Sequence, residues 1–371
     1  MTSRKRDLKE SKTIPSVALP PLLEDLRRMI EETRQGVAIT VNAALTMLYW
    51  RVGKRISTEI LKGERAEYGQ QILATLSQEL VRDYGNGFSY SVLTRMLKFS
   101  EVFPDQQIVA TLSQILSWSH FRELLPLERP LQRDFYAEMC RIERWSVRTL
   151  RQKIGSMLYE RTALSKKPEE LARIELDALR NEDKLTPDLV FRDPYFLDFL
   201  GLTGAFQEKD LEAAILRDME AFILELGVGF TFAARQKRIT LDGDDFYLDL
   251  LFFHRRLRRL VAIELKLENF RPEHKGQMEL YLRWLDKYER QPGENPPIGM
   301  ILCAGKKQEQ IELLELGGAG IHVAEYLVDL PSKDLLQAKL HKAIALARKR
   351  LESGNEEQTA VQKPKLLEGT E

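Results

Sequence analysis

Residues 246–266 read FYLDLLFFHRRLRRLVAIELK, which is two apolar runs separated by a short basic segment. Aromatic and aliphatic residues dominate both runs, which favours strands, and the basic segment is short enough to join antiparallel neighbours. The first run contains one acid, Asp249, and the second ends with Glu264 and Lys266. The pattern therefore predicts a hairpin that carries charged groups inside a sheet.

The acids of this hairpin predict a cation site. An ionised carboxylate without a partner is costly in a low-dielectric strand. Adjacent antiparallel strands would bring Asp249 and Glu264 close together, where two like charges repel by roughly 4 kcal/mol at an effective dielectric near 20. A divalent cation converts that repulsion into attraction, and hard oxygen ligands of this kind suit Mg²⁺ or Mn²⁺.

The spacing of the second strand adds two further groups to this site. Glu264 and Lys266 are two residues apart, so on a strand they point to the same face. The backbone carbonyl of Leu265 can then serve as another metal ligand. Lys266 would stand beside the metal, where it can orient an attacking water and stabilise negative charge on a phosphate.

Composition limits the classes of protein that this chain can be. Its 371 residues suit two domains, and 56 basic against 56 acidic residues give no overall attraction to polyanions, so any nucleic-acid surface must be local. The two cysteines, Cys140 and Cys303, lie far apart, which fits a reducing compartment. No apolar run is long enough to span a membrane. We therefore expect a cytoplasmic protein.

Two different hydrophobic periodicities divide the chain. Spacings of three and four residues dominate from residue 21 to about 173 and predict roughly six helices, whereas strand patterns appear after residue 210. We predict an all-α N-terminal domain followed by an α/β domain with a mixed central sheet. The predicted segments are a disordered tail (1–19), a helical domain (20–175), a linker that packs on the next domain (176–205), the α/β domain (206–352) and a second disordered tail (353–371).

One part of the helical domain has the outline of a helix-turn-helix. Residues 70–84 read as a helix, residues 85–88 as a turn, and Ser89 or Ser91 as the N-cap of a second helix. Three cations would lie on its outer face and could contact phosphates: Arg82, Arg95 and Lys98. Alternatively, two helices joined by a glycine turn are an ordinary part of a helical domain, and these cations are only solvated.

Asp249 followed by Glu264-Leu265-Lys266 resembles the two halves of the PD-(D/E)xK nuclease motif, although Leu248 stands in place of the proline. More specifically, several segments resemble the YhcG-like nuclease family, which also has a helical N-terminal domain of uncharacterised function. These segments are residues 84–89, 193–202, 246–252, 260–266 and 276–278. The resemblance implies a restriction-endonuclease-like domain and a Mg²⁺-dependent or Mn²⁺-dependent endonuclease that hydrolyses phosphodiester bonds in nucleic acid, with DNA expected.

The resemblance also implies further site residues. A glutamate of the first core helix often joins the metal site in this superfamily, and Glu212 matches it best, with Glu220 and Glu225 as alternatives. Gln277 and Tyr281 are four apart on one helical face and resemble the QxxxY motif of RecB-type members, where the pair helps to shape the site. The expected catalytic residues are Asp249, Glu264, Lys266, Gln277 and Tyr281, and the expected metal ligands are Glu212, Asp249, Glu264 and Leu265.

Other interpretations of these residues stay open. Asp249 and Glu264 could face water, with Lys266 in a surface ion pair worth less than about 1 kcal/mol. The domain could also be a catalytically silent module on a nuclease fold that binds nucleic acid or a partner. The basic segment 255–259 could hold a phosphate backbone or protect a sheet edge, and His254 suits packing or capping. The helical domain could contact a second copy of the chain or another protein.

Overall fold

The computed structural model describes residues 39–58 and 66–361. Contacts between residues divide the chain into two units: the first ends at Arg122, and the second begins at Glu123. The first unit is helical, with α1 (residues 39–58), α2 (Ala66–Tyr84), α3 (Tyr90–Val102), α4 (Gln106–Ser113) and the start of α5 (Trp118–Leu124). Gly53 of α1 packs against α3 so closely that an added Cβ would lie 1.8 Å from the carbonyl oxygen of Met96. Only glycine fits at this crossing.

The predicted helix-turn-helix outline corresponds to α2, a 3₁₀ turn over Asn86–Phe88, and α3. Ser89 occupies the N-cap position of α3, but its side chain does not cap the helix. The three predicted cations are all exposed, and Arg82 pairs with Glu79 and Asp83 on its own helix. Contact between this segment and nucleic acid stays a prediction.

The second unit begins with helices that the sequence divided between the predicted helical domain and the predicted linker. Three of them lie in the predicted helical domain: α6 (Pro130–Glu143), α7 (Val147–Gly155) and α8 (Leu158–Arg161). The next helix, α9 (Glu169–Glu182), crosses the predicted boundary, and α10 (Pro187–Val190) lies in the predicted linker. Arg161, with only 1% of its side chain exposed, is 2.5 Å from Glu225 and binds these helices to the later part of the chain. The sequence-based boundary near residue 175 stays a prediction, while the contacts alone divide the chain earlier.

A six-stranded mixed sheet organises the rest of the second unit. Its spatial order is β1 (Tyr195–Phe196), β6 (Ile321–Leu327), β5 (Ile298–Gly305), β4 (Arg259–Asn269), β3 (Asp244–His254) and β2 (Phe230–Leu241). The β2, β3 and β4 strands are antiparallel neighbours, and the remaining pairs are parallel. The mixed α/β fold class predicted from the sequence is confirmed. The short β1 strand lies in the segment that the sequence identified only as a packed linker.

Helices cover both faces of this sheet. One face packs against α11 (Glu208–Arg217) and α12 (Met219–Leu226), and the other against α13 (Pro272–Tyr288) and α14 (Gln308–Leu313). Two-sided burial explains why β3, β4 and β5 read as continuous apolar runs. The first core helix is interrupted and forms the two helices α11 and α12, because the backbone leaves the helical conformation at Asp218.

Two local features complete the sheet domain. The β2–β3 turn contains Asp242 (φ 51°) and Gly243 (φ 95°), and both positive angles suit a two-residue hairpin turn. The last helix, α15 (Lys333–Val361), continues past the predicted domain end at residue 352, because each added residue of a formed helix gains a hydrogen bond. Both predicted tails otherwise fall outside the described residues. Within residues 39–58 and 66–361, no helix is long and apolar enough to cross a membrane.

Candidate active site

The candidate site lies where β3 and β4 separate. Their main-chain pairing runs from His254 opposite Arg259 to Leu250 opposite Ile263, and the next residues along the strands are Asp249 and Glu264. From these two residues onward, hydrogen bonds between side chains and main-chain amides take the place of main-chain pairing between β3 and β4. The Asp249 amide donates to Glu264 Oε1 (3.4 Å), and the Leu265 amide donates to Asp249 Oδ2 (2.9 Å). The separation of the strands thus makes room for two carboxylates inside the sheet.

Glu264 and Lys266 form a buried ion pair. Lys266 Nζ is 3.1 Å from Glu264 Oε2, and the two side chains are 15% and 4% exposed, respectively. Both β3 and β4 are interior strands of the sheet. These facts contradict the alternative of a surface ion pair on acids that face water.

The charges of the site shift its proton affinities. Burial and the nearby Asp249 raise the pKa of Glu264 to about 7, although Lys266 opposes this shift. Burial by itself would lower the pKa of Lys266, but Glu264, Glu208 and Asp249 together raise it above its ordinary value. The lysine is therefore charged at neutral pH, while Glu264 titrates near neutrality and can accept a proton there.

Glu212 lies on α11, which packs against β4, and one glutamine joins it to the strands. Gln236 Nε2 donates to Glu212 Oε2 at 2.9 Å and to Asp249 Oδ1 at 3.0 Å. A cavity of about 200 Å³ opens at this point and is lined by Glu208, Lys209, Glu212, Gln236, Asp249 and Leu265. The structure thus brings Glu212 to Asp249, as the resemblance implies.

The two alternative glutamates have other surroundings. Glu225 accepts hydrogen bonds from Arg161, Arg192 and the Phe196 amide, so its carboxylate belongs to a separate ion network. Glu220 is exposed on α12. Among the three candidates, Glu212 has the position that suits the site.

Gln236 is the site residue that the sequence reasoning missed. It stands opposite Asp249, between the strand pairs Arg235–Leu250 and Lys237–Leu248, and its φ of 43° lies in the left-handed region. Such a conformation costs on the order of 1–3 kcal/mol in a residue other than glycine. The only signal in the sequence is a polar residue between two cations on a strand, which is an ordinary pattern for an edge.

The oxygen donors of the site are of the chemical type that binds divalent cations, but their side chains do not yet converge on one point. In the part of the chain that the structure describes, no three His, Cys, Asp or Glu side chains converge closely enough to hold a metal ion. However, Glu212 and Asp249 both accept hydrogen bonds from Gln236 Nε2, which lies between them. Two carboxylate ligands would flank a bound cation in the same way. The N–H and C=O of one strand residue point to the same side, so the Leu265 carbonyl points to the β3 side of the strand, and Leu265 lines the cavity. These hard oxygen donors fit Mg²⁺ or Mn²⁺.

The predicted QxxxY pair supports β3 from the helix side. Gln277 Nε2 donates to the Tyr281 hydroxyl at 2.7 Å, and that hydroxyl donates to the Tyr247 carbonyl at 3.4 Å. Tyr281 is buried in the core beneath the sheet. Because Tyr247 precedes Asp249 by two residues, these contacts link the pair to the strand that carries the acid.

The basic segment and His254 lie away from the acids. Arg256 donates to the Ile142 carbonyl at 2.6 Å, and Arg255 is six strand residues from Asp249, which corresponds to roughly 20 Å. His254 is buried against Phe230, its Nδ1 accepts from the Leu257 amide, and burial lowers its pKa to about 4. His254 therefore caps and packs the hairpin, and the segment is too distant to hold the phosphate at the site.

A mixed sheet preceded by a core helix, with an acid on one strand and Glu-x-Lys on the next, defines a restriction-endonuclease-like PD-(D/E)xK nuclease domain. Residues 188–341 match the family model of the YhcG PDDEXK nuclease domain, and residues 25–161 match that of the DUF1016 N-terminal domain. The chain is 34% identical to the "Putative nuclease YhcG" of Escherichia coli (strain K12) over 349 residues, which cover 86% of this chain and 92% of that protein. The chain therefore belongs to the YhcG family of nucleases.

Two solved structures resemble part of the chain. A repair endonuclease from Pyrococcus abyssi is 18% identical, with a TM-score of 0.24, and the match covers 33% of this chain and 49% of the other. A complex of EndoMS with double-stranded DNA is 17% identical, with a TM-score of 0.26, and the match covers 35% and 49%. The chain spans about half the length of each, and the low scores carry no argument about its substrate.

Proposed function

We propose that this nuclease is a metal-dependent endonuclease that hydrolyses phosphodiester bonds in DNA. The observation that carries the proposal is the meeting of Asp249, Glu264 and Lys266 where β3 and β4 separate, with Glu212 linked to Asp249. Buried charges that are only partly compensated, beside a cavity, are typical of a catalytic site.

Each residue of the site has a distinct role in the proposed reaction. Glu212, Asp249, Glu264 and the Leu265 carbonyl would hold Mg²⁺ or Mn²⁺, which supplies a water of lowered pKa and a Lewis acid for a phosphoryl oxygen. In the metal-free chain, burial and Asp249 raise the pKa of Glu264 to about 7, and a bound cation would offset this repulsion and favour the charged carboxylate as a ligand. Lys266, charged and half-buried, stabilises the negative charge that develops on the phosphate. Gln277 and Tyr281 keep β3 in position behind Asp249.

The choice of DNA rests on the helical unit. A two-helix outline with exposed Arg82, Arg95 and Lys98 on its surface suits contact with the phosphates of a duplex. The whole chain carries no net charge, so local cations of this kind must supply the attraction.

A cleavage panel tests this function. Purified chain is incubated with duplex, branched and single-stranded DNA and with RNA, in Mg²⁺, Mn²⁺ or EDTA. We expect cation-dependent cleavage of DNA, and a rate at least about 1000-fold lower for Asp249→Ala and Lys266→Ala. Glu220→Ala, an exposed acid outside the site, is the matched control and should cleave normally. Absence of cleavage on every substrate, or unchanged rates in the two site variants, would contradict the proposal.

A second candidate is a catalytically silent module that binds nucleic acid or a partner. The observation in its favour is that the carboxylates of the described residues do not converge on a metal position. Calorimetric titration with Mn²⁺ separates the two candidates. Heat that disappears in Asp249→Ala favours the enzyme, whereas DNA binding without any Mn²⁺ signal favours the module.

A further inference from the structure

Gln236 occupies a strained position whose side chain connects two elements. Its φ of 43° lies in a region that L residues other than glycine rarely adopt. It interrupts β2, an edge strand, opposite Asp249. Glycine would adopt this backbone conformation without strain, so the conformation itself gives no reason for a glutamine at this position. What the position provides is a side-chain amide between Glu212 and Asp249.

The amide makes a contact that only its nitrogen can make. Both neighbouring atoms, Glu212 Oε2 and Asp249 Oδ1, are carboxylate oxygens and therefore acceptors. The nitrogen carries two N–H groups, one for each carboxylate, and so fixes both at once. An amide oxygen turned toward them would be repelled. The orientation of the amide thus follows from the charges around it.

A neutral donor suits this place better than a cationic one. A lysine between the same carboxylates would neutralise them and compete with a metal ion for the cavity. The glutamine amide leaves both negative charges intact. A carboxylate offers about four acceptor sites, and Asp249 uses two of them for Gln236 Nε2 and the Leu265 amide. The other acceptor sites stay available to a cation.

We propose that Gln236 is a positioning residue of the metal site, whose amide holds Glu212 on α11 and Asp249 on β3 so that both carboxylates face one cation. The inference rests on the proposed metal dependence and adds to it a residue outside the D and ExK motif. Partners that hydrogen-bond the metal-binding carboxylates orient these ligands and tune affinity. Gln236 does this for two ligands that come from different elements.

Mn²⁺ titration of the full chain by calorimetry, together with thermal unfolding in EDTA, tests the inference. In Gln236→Gly we expect the Mn²⁺ dissociation constant to rise about tenfold or more. Its unfolding midpoint in EDTA should stay within about 2 °C of wild type or exceed it, since glycine relieves the backbone. Arg235→Ala changes an exposed neighbour on the same strand and should leave both values unchanged. Gln236→Asn tolerates the left-handed conformation, but its amide is one carbon shorter and should weaken Mn²⁺ binding as the glycine variant does.

Three outcomes would overturn the inference, and they are distinguishable. Dissociation constants within about twofold of wild type in both Gln236 variants would show that the amide does not position the ligands. Weaker binding accompanied by a midpoint more than about 5 °C lower in EDTA in both variants would assign Gln236 to folding instead. Absence of Mn²⁺ heat in the wild-type chain would remove the proposed metal dependence itself, and this inference with it.

Discussion

Two buried charge clusters of the second unit differ in their balance of cations and acids: one has more cations than acids, and the other has more acids than cations. Around Glu225, two arginines face one carboxylate: Arg161 lies 2.5 Å away and Arg192 3.1 Å away. Although burial would raise the pKa of Glu225, the two arginines lower it below its ordinary value. At the candidate site, Asp249 and Glu264 share one lysine, and the pKa of Glu264 rises to about 7. Burial is common to both clusters, so the ratio of cations to acids decides the direction of the shift.

The comparison distinguishes the Glu225 cluster, whose charges are paired and stabilise the fold, from the candidate site, whose acids are free to bind a cation or substrate. In the Glu225 cluster, the Phe196 amide also donates to the carboxylate, and the Arg161 guanidinium lies 3.7 Å from the centre of the Phe196 ring. This cluster connects α8, α12 and β1. The acids of the site are undercompensated and lie beside a cavity. Such excess charge is tolerated where a cation or substrate compensates for it.

The largest effect on stability is expected in the Glu225 cluster. Glu225→Gln keeps the size of the side chain but leaves two buried arginines without their counter-charge, which should cost about 3–5 kcal/mol. Urea unfolding of the variant measures the free energy of unfolding. Cleavage per folded molecule should remain normal. A loss under 1 kcal/mol would mean that this cluster contributes far less to the fold than its burial indicates.

The same type of substitution at the candidate site should reduce cleavage and leave the stability of the fold intact. Glu264→Gln is expected to lower cleavage by about 1000-fold, equivalent to roughly 4 kcal/mol of transition-state stabilisation. Its stability without cation should equal or exceed that of wild type, because a carboxylate with a raised pKa is unfavourable when ionised. Steady-state cleavage and unfolding on the same preparation check both parts. Full activity in this variant would remove Glu264 from the mechanism.

The pH dependence of stability provides a third difference. Glu264 has an ordinary pKa of 4.5 and a pKa of about 7 in the folded chain, so between these values the folded state binds more protons than the unfolded state. Stability of the metal-free protein should therefore decrease as pH rises through this window, by roughly 3 kcal/mol in total from this group. Unfolding in EDTA at several pH values, with Glu264→Gln as reference, isolates the contribution. Equal slopes for the two proteins would contradict the shift.

Metal binding should stabilise the site and not the Glu225 cluster. At a Mn²⁺ concentration 100 times the dissociation constant, the wild-type chain is expected to gain about 2.7 kcal/mol. The same gain should appear in Glu220→Ala and disappear in Asp249→Ala. Thermal unfolding with and without Mn²⁺ provides the measurement. An equal gain in Asp249→Ala would place the bound ion elsewhere.

Much of this organisation could be predicted from local sequence. The β2–β5 strands appear as aromatic and aliphatic runs, and the two-residue turn at Asp242-Gly243 is visible as a hairpin signal. Asp249, Glu264 and Lys266 stand out because charge interrupts apolar runs. Other features could not be predicted in the same way. The β1 strand has two residues and no pattern of its own, and the break at Asp218 has no proline or glycine to mark it.

The helical half shows the same division. The outline of α2, turn and α3 follows from periodicity and the glycines between them, and this region lies within the match to the DUF1016 N-terminal domain. A nucleic-acid contact there, a second copy or another protein as its partner, and a cytoplasmic location all stay predictions. Charge and spacing alone do not distinguish a binding helix from a solvated one.

The sequence by itself predicted a helical part followed by an α/β domain and singled out three charged side chains within apolar strands, because strand periodicity and the cost of buried charge are local properties. Only the tertiary structure decided that Glu212 joins them while Glu225 belongs to an arginine pair, since this depends on which helix packs over which strand. Only it revealed Gln236, because the register between β2 and β3 and a positive φ are set by the packing of the whole sheet. Electrostatic balance at the site is a property of distances in space, and sequence spacing does not encode those distances.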